Sequence, residues 1–485
     1  MQEGEKGYKV TFMVDKEKDF SEWYNTVIRQ AEIIDDRYNL KGFVVYRPYG
    51  FYMLKGIAKL FEDELEKRGH QQVLFPVLIP EENLAKEEEH VEGFKAQVFW
   101  VTHGGDDKLE KRLALRPTSE TAFYPMYALW IRGISDLPLK LYQTTTVYRY
   151  ETKATKPLIR GREFYWIEAH DSFSSEEEAL SQIEDDRETI EAVLLKELSI
   201  PFIFLRRPRW DKFRGAVDTY ASDVMLPDGK MLQVASTHYL GTNFSKAFDI
   251  KFHDRDGKSK YVFQTCFGPG LTRILAAVIS VHGDERGIII PPKIAPIQVI
   301  IVPIPGPGVL DYARKLKRIL QEQGIRTDLD DSDDTPGEKF YKWEFLGVPF
   351  RVEVGIREVA AGATTLFSRA TFKRELIGLP ELVQEIKSET SKMTELLRER
   401  AFEFFNSRIG EASNLEEAKH LLVSGKCLIR VPFCSTNEDG EACGAKLEEL
   451  GLNVLGSKGE MPEKGSNCLI CGKGAREVVY LASTM

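Results

Sequence analysis

Three separated stretches hold residue types that could do chemistry together: LRPTSE at 115–120, YRYETKATKPLIRGREFYWIEAH at 148–170 and TCFGPGLTRILAA at 265–277. In the middle stretch Arg149 and Glu151 fall on one face of an extended strand, because side chains alternate with period two. A polar loop with Arg160 follows, and the chain returns as a second strand bearing Phe164, Trp166, Glu168 and His170 at the same period. Packed in a core, Glu168 and His170 would need buried partners; a polar ligand in front of that face accounts for them more simply. The planar fork of Arg149 can meet both a carboxylate and a phosphate. Glu151 can accept from an exocyclic amino group, and Phe164 offers a flat wall to a purine. Arg273, at the start of an apolar helix after Gly268 and Gly270, adds a second guanidinium that can clamp the purine. No GxxxxGK[ST] occurs, so this reads as an ATP site without a P-loop.

Elements of two periods must position these groups. GIAKLFEDELEKRG at 56–69 has helical spacing and a glycine stop at Gly69. VLFPVLIP at 73–80 is an extended apolar run whose prolines suit an edge or interface strand. A capping box from Ser174 to Glu177 opens a charged amphipathic helix running to about Glu197. Helices and strands do not alternate strictly here, which predicts an α+β domain on a mixed or antiparallel sheet over residues 1–290. Three prolines in IIIPPKIAP, 288–296, mark a boundary. Beyond it IQVIIVPI, IRTDLD, FRVEVG and ATTLFSR read as strands and VLDYARKLKRILQEQG as a helix closed by Gly324, an α/β unit over 296–390. After a charged helix near 380–407, residues 400–485 form a cysteine-bearing tail, read as a small metal-stapled domain.

At 485 residues the chain exceeds what one core usually serves. With 42% hydrophobic and 29% charged residues it has ordinary globular usage, far from disordered or collagen-like compositions. The first twenty residues lack the pattern of a secretory leader and no long apolar run follows, so a cytoplasmic protein is expected. Of six cysteines, five lie after position 426, which argues against a dispersed disulfide framework and for a metal. The net charge of −9 does not exclude a nucleic-acid partner, which needs local basic patches rather than a basic whole. Arg206, Arg207 and Arg209 are either such a patch or a solvated surface cluster.

The order of RxE, a loop arginine with RxxxF, then a glycine-rich turn and an arginine-bearing helix resembles motifs two and three of class II aminoacyl-tRNA synthetases. The strand around Pro76 is similar to motif one, which in that family builds the dimer interface and implies a homodimer. RPTSE, WIEAH and QVASTHYLGTNF together look like the prolyl-tRNA synthetase family, of archaeal and eukaryal type. The resemblance implies that proline is activated with ATP to prolyl-adenylate and transferred to tRNA(Pro). It places Thr118, Glu120, Arg149, Trp166, Glu168, His170 and His238 at proline. Likewise it places Arg149, Glu151, Arg160, Phe164, Gln233, Ser236 and Arg273 at ATP, with magnesium reached through the nucleotide near Gln233. Arg149 and Arg273 would be the main catalytic agents, acting by positioning and charge. Cys266 stands where relatives often have serine and reads as a small buried thiol. Rival readings are a sister synthetase for another small amino acid and a catalytically inactive paralogue binding tRNA or regulating. Paralogues of that kind typically lose the clamping arginines, which are present here.

By the same resemblance residues 296–390 are an anticodon-binding domain with Glu344, Arg351 and Lys373 at the guanines of the proline anticodon; a carboxylate accepts from guanine and Arg or Lys donates to it. Surface charge on a core module is the competing account of these three. Zinc is expected in the tail on Cys434, Cys443, Cys468 and Cys471, with CLIC as one half-site. The wide Cys434 to Cys443 spacing leaves Cys427 as a possible substitute. The interval between motifs two and three is too short for the editing domain that many bacterial relatives insert. Chains of this type often end in tyrosine, whereas this one ends in Met485.

Overall fold

In a computed structural model, residues 14–86 and 97–485 are described. The start of the segment read for a leader, residues 1–13, lies outside them. Helix α1 (Phe20–Gln30) begins at Asp19, whose carboxylate accepts from the Glu22 N–H, and buries Trp23, Tyr24, Val27 and Ile28 on one stripe. Helix α2 (Pro48–Lys67) contains the predicted helical segment and starts earlier, with proline at its first position. Gly69 follows it at φ 86°.

A seven-stranded sheet dominates the first half. Its strands are β1 (Gln71–Gln72), β2 (Leu139–Tyr148), β3 (Glu163–Phe173), β4 (Ile203–Arg206), β5 (Asp218–Met225), β6 (Met231–Gly241) and β7 (Phe263–Pro269), in spatial order β1-β2-β3-β7-β6-β5-β4. Every pairing is antiparallel except β1 with β2. One face carries α2, α3 (Glu176–Ile190) and α4 (Leu271–His282) over the largest apolar core. The expected edge strand at 73–80 narrows to Leu78–Pro80, at the edge of a small sheet with Phe99–Gly104 and Asp107–Leu115. Proline at 76 has no amide to give a ladder, so the run before it stays irregular. The capping box of α3 also sits one residue later than expected, at Ser175 and Glu178.

A second, five-stranded sheet holds β8 (Val299–Pro303), β9 (Thr327–Leu329), β10 (Phe350–Val354), β11 (Ala363–Ser368) and β12 (Arg374–Gly378), in order β9-β8-β10-β11-β12. Pairings of β8 are parallel and the rest antiparallel. Its central strands are buried on both faces, which is why they read as continuous apolar runs. The charged helix is α5 (Leu382–Ser407). The tail, which showed no long periodic segment in sequence, builds a four-stranded sheet: β13 (Ile409–Glu411), β14 (Leu428–Phe433), β15 (Asn453–Gly456) and β16 (Glu477–Ala482). These strands are short, so their alternation carries little signal.

Candidate active site

The face of β3, β6 and β7 turned away from the helices floors a cleft of about 420 Å³. Register explains the gathering: Ser236 lies opposite Gly268 and His238 opposite Cys266, while Cys266 lies opposite His170 on β3. Alternation on β3 works as expected, and Phe164, Trp166 and Glu168 line the cleft. Strand β2 ends at Tyr148, so Arg149 and Glu151 sit just beyond the ladder rather than on it; both still reach the cleft. Thr118, Glu120, Arg160, Gln233, Ser236, His238 and Arg273 complete the expected lining.

His170 is the exception. Its ring is fully buried one layer below, 3.4 Å from Glu168 Oε2 and 3.3 Å from the Tyr124 hydroxyl, with Phe123 packed on it at 4.4 Å between ring centres. It braces the pocket rather than walling it, because the strand dives under the helix that begins at Glu120 (residues 120–130). Glu168 is equally buried and is fixed by the Ser119 N–H (3.1 Å), the Ser119 hydroxyl and Gln143 Nε2 (2.9 Å). Both groups thus find the buried partners that a core position demands.

At one end, Thr118 Oγ1 donates to Glu120 Oε2 at 2.6 Å and the Cys266 thiol donates to Oε1 at 3.3 Å. Glu120 occupies the first turn of its helix, where the backbone dipole favours a carboxylate. Burial, reinforced by that carboxylate, pushes the Cys266 thiol well up, so it stays protonated and hydrogen-bonding. Arg149 crosses the middle of the cleft with its guanidinium 5.3 Å from both the Phe164 and Trp166 ring centres, and its Nε donates to the Pro117 carbonyl at 3.0 Å. His238 accepts or donates at 3.0 Å to Thr219 and to Ser236 and stacks on Phe213 at 4.4 Å.

At the other end, Arg273 donates to the carbonyls of Ile159 and Gln233, each at 3.0 Å. Arg160 donates to the Met485 carbonyl oxygen at 2.8 Å. Burial, then the charges of Arg149 and Arg160, lower Arg273 to about 10. Three cations therefore share one cleft with the carboxylates of Glu120, Glu151 and Glu168, which favour the charge of Arg149, while Arg273 is held down by burial and its neighbouring guanidinium groups. Sequence reading missed Arg207, Asp211, Lys212, Phe213, Thr219 and Thr272, which also line the cleft. Arg207, flagged only as part of a basic triplet, is buried and pairs with Asp223 at 2.8 Å. It also donates to the Leu455 carbonyl at 2.7 Å, so the triplet lies at a seam with the tail rather than forming an open basic patch.

Comparison with known proteins agrees with this geometry. The family model described as tRNA synthetase class II core domain (G, H, P, S and T) matches residues 99–282, and that of the anticodon binding domain matches 298–389. A proline–tRNA ligase from Thermofilum pendens is 52% identical over 97% of this chain and 98% of its own, and one from Pyrococcus abyssi is 45% identical over 97% and 100%. The chain belongs to the proline–tRNA ligase family. Among solved structures, Giardia lamblia prolyl-tRNA synthetase in complex with prolyl-adenylate superposes with a TM-score of 0.93 at 40% identity, covering 97% of this chain and 99% of that one. The Cryptosporidium parvum enzyme, complexed with halofuginone and AMPPNP, gives 0.92 at 30% identity with 98% and 99% covered.

Two further groups of residues singled out in the sequence lie outside this cleft. Arg351 is buried between the rings of Phe340 (4.0 Å) and Phe367 (4.1 Å) and pairs with Glu344 and Glu353, each at 2.8 Å. It therefore holds Glu344 in place from behind, whereas Lys373 is exposed. In the tail the sulfur atoms of Cys434, Cys443, Cys468 and Cys471 all lie within 4.8 Å of one another. Tetrahedral thiolates around zinc at about 2.3 Å need separations of about 3.8 Å, so a small contraction makes the set fit. Burial pushes the Cys434 and Cys443 thiols up, whereas a hydrogen bond from the Lys473 N–H lowers Cys471 to about 7, so of these three only Cys471 is biased towards the thiolate a metal needs. Cys427 lies elsewhere, with its sulfur 3.8 Å from an Arg408 nitrogen. Among the described residues no helix is long and apolar enough to cross a membrane.

Proposed function

We propose that the cleft condenses proline with ATP to prolyl-adenylate and pyrophosphate, then passes the prolyl group to the 3′ end of tRNA(Pro). The observation that carries this reading is the convergence of Arg149, Arg160 and Arg273 on one cleft whose far end holds Thr118, Glu120 and Trp166. Proline's secondary ammonium finds acceptors in Glu120 and Thr118, its ring a flat wall in Trp166, and its carboxylate the fork of Arg149. Glu168 and His170 act from beneath by fixing Ser119 and the strand, and His238 with Ser236 closes the pocket side. Phe164 and Glu151 take the adenine, Arg160 and Arg273 the polyphosphate. Magnesium arrives with the nucleotide, near Gln233.

Proline's carboxylate attacks the α-phosphorus in line and pyrophosphate leaves; the terminal ribose hydroxyl of the tRNA then attacks the adenylate carbonyl and releases AMP. No side-chain nucleophile is required. Arg149 spans the carboxylate and the α-phosphate, and Arg273 meets charge growing on the phosphates, so catalysis is positioning plus electrostatic stabilisation.

Residues 1–290 would supply this chemistry, 296–390 anticodon reading through Glu344, Arg351 and Lys373, and 400–485 a structural zinc site on its four clustered cysteines. A homodimer through the segment near Pro76 is supported by an apolar patch there, with Leu74 80% and Trp130 44% exposed. A cytoplasmic location suits an enzyme that draws on ATP and tRNA. Pyrophosphate exchange measured separately with proline, alanine, cysteine, glycine and threonine tests the reading. Proline should drive it best, and faster exchange with any other amino acid would defeat the assignment.

A further inference from the structure

Phe372 has no place in the reading above, yet its conformation asks for one. It is one of five non-glycine residues with positive φ among the described residues, at 58°, on the turn between β11 and β12. A bulky aromatic in the left-handed region is sterically unfavourable, and such strain persists where the surrounding structure enforces it. The turn is enforced here. The Phe372 N–H donates to the Ser368 carbonyl at 2.9 Å. Arg369, fully buried, closes on both carboxylate oxygens of Asp284 at 2.8 and 2.6 Å and on the Glu344 carbonyl at 2.7 Å.

The strained turn presents its ring outward. Phe372 is 40% exposed, whereas its neighbour Phe367 is buried. Arg369 approaches the ring from the protein side at 5.3 Å, and Arg286, with a largely exposed side chain, lies over it at 4.5 Å. Arg286 also reaches Glu344 at 3.5 Å, and Lys373 is the next residue along the turn. An exposed ring capped by an exposed guanidinium plane that also reaches a carboxylate has the chemistry that holds an unpaired nucleobase. The base stacks on the plane, its edge meets the charged groups, and its phosphates meet the cations. A protein partner would call for a wider apolar patch than one ring.

We propose that Arg286 and Phe372 form a stacking platform for one unpaired base of the tRNA anticodon loop, Phe372 as the support and Arg286 as the outer layer. The proposal rests on the tRNA-charging reading above. It makes Arg286, which precedes the second sheet, part of the anticodon site.

The test is steady-state charging of a proline tRNA transcript. Phe372→Leu and Arg286→Lys should each raise KM for tRNA about tenfold with kcat changed by less than about twofold, while Phe372→Tyr should stay near wild type. Arg286→Lys keeps the charge beside Glu344 but loses the plane, so wild-type charging by that variant would mean phosphate contact only and would overturn the platform. Phe372→Leu matching wild type, or losing thermal stability and proline-dependent exchange in parallel, would equally overturn it. Phe372→Gly, relieved of strain, should keep its melting temperature while binding tRNA more weakly. Transcripts with an abasic residue at each anticodon-loop position should include one that costs the wild type about tenfold and costs Phe372→Leu nothing further. If the wild type fails proline-dependent exchange altogether, the underlying reading fails; if it charges normally and the variants do too, only the platform does.

Discussion

Burial and the nearby charge of Arg149 together hold Arg273 down, to about 10, although the two arginines come from distant segments of the chain. The carboxylates of Asp223 and Glu151 offset this depression only in part, and a bound polyphosphate would add further attraction at Arg273. Arg273→Ala and Arg149→Ala should each lower proline-dependent pyrophosphate exchange about 100-fold or more, the scale on which losing one preorganised donor acts. Lysine at position 149 should not restore the rate, since a point charge cannot span carboxylate and phosphate as a planar fork does. Near-normal exchange in the alanine variants would remove these arginines from the chemistry.

Arg351→Ala is expected to impair tRNA charging for two reasons at once. The residue is 2% exposed, and its removal leaves Glu344 only the longer contact to Arg286 at 3.5 Å and Glu353 only that to Arg374 at 3.4 Å. With those cations remaining, the cost stays below the about 3–5 kcal/mol of leaving a buried charge uncompensated. Unfolding of the second sheet should therefore begin at a lower temperature in this variant, visible by calorimetry. Lys373→Ala, at an exposed position, should weaken charging without moving the transition.

These contrasts show what sequence could and could not carry. Strand β3 was legible because four polar or aromatic side chains at period two are hard to explain in a core. Its ends were not: Arg149 and Glu151 obey the alternation in sequence but lie past the last ladder residue, Tyr148. His170 shares the parity of Glu168 yet is roofed by the helix starting at Glu120, a tertiary fact that no local pattern records. The same limit hid Arg207 and Phe213, which reach the cleft from the irregular segment between β4 and β5. In the tail, the wide Cys434 to Cys443 spacing left Cys427 as a possible substitute, and the folding of β14 excludes it, with Cys434 following that strand's end beside Cys443.

Behind the sheet, Asp186 on α3 should make stability depend on pH. Burial and then the charge of Asp171 raise it from 3.8 to about 7, while Gln182, His70 and Thr237 pull the other way. Between about pH 4 and 7 the folded chain keeps a proton that the unfolded chain has released, so stability falls as pH rises through that window and levels off above it. The loss is at most about 4 kcal/mol for a shift of this size. Asp186→Asn cannot ionise and should be more stable than wild type at pH 8, with the gap closing towards pH 4. Urea unfolding at both pH values checks this, and a constant gap would exclude Asp186 as its source.

Removal of metal from the tail should be felt in the cleft. Cys434, Cys443, Cys468 and Cys471 converge while three contacts join the tail to the ATP end of the site. Arg207 donates to the Leu455 carbonyl at 2.7 Å, Arg206 and Ser457 exchange backbone hydrogen bonds at 3.0 Å, and Arg160 donates to Met485 at 2.8 Å. A structural zinc site contributes folding energy directly, about 10–16 kcal/mol in isolated zinc-finger peptides. Metal analysis should therefore find zinc in the wild-type chain, and Cys468→Ser should abolish it and loosen the tail, seen as faster amide exchange in β14 and β16. Arg160 and Arg207 would lose their contacts with the tail, so KM for ATP should rise several-fold more than KM for proline, whose proposed pocket lies at the other end of the cleft. An equal rise in both constants would mean that the tail supports the whole domain rather than the phosphate end, and a wild-type chain without zinc would show that the four thiols are not a metal site.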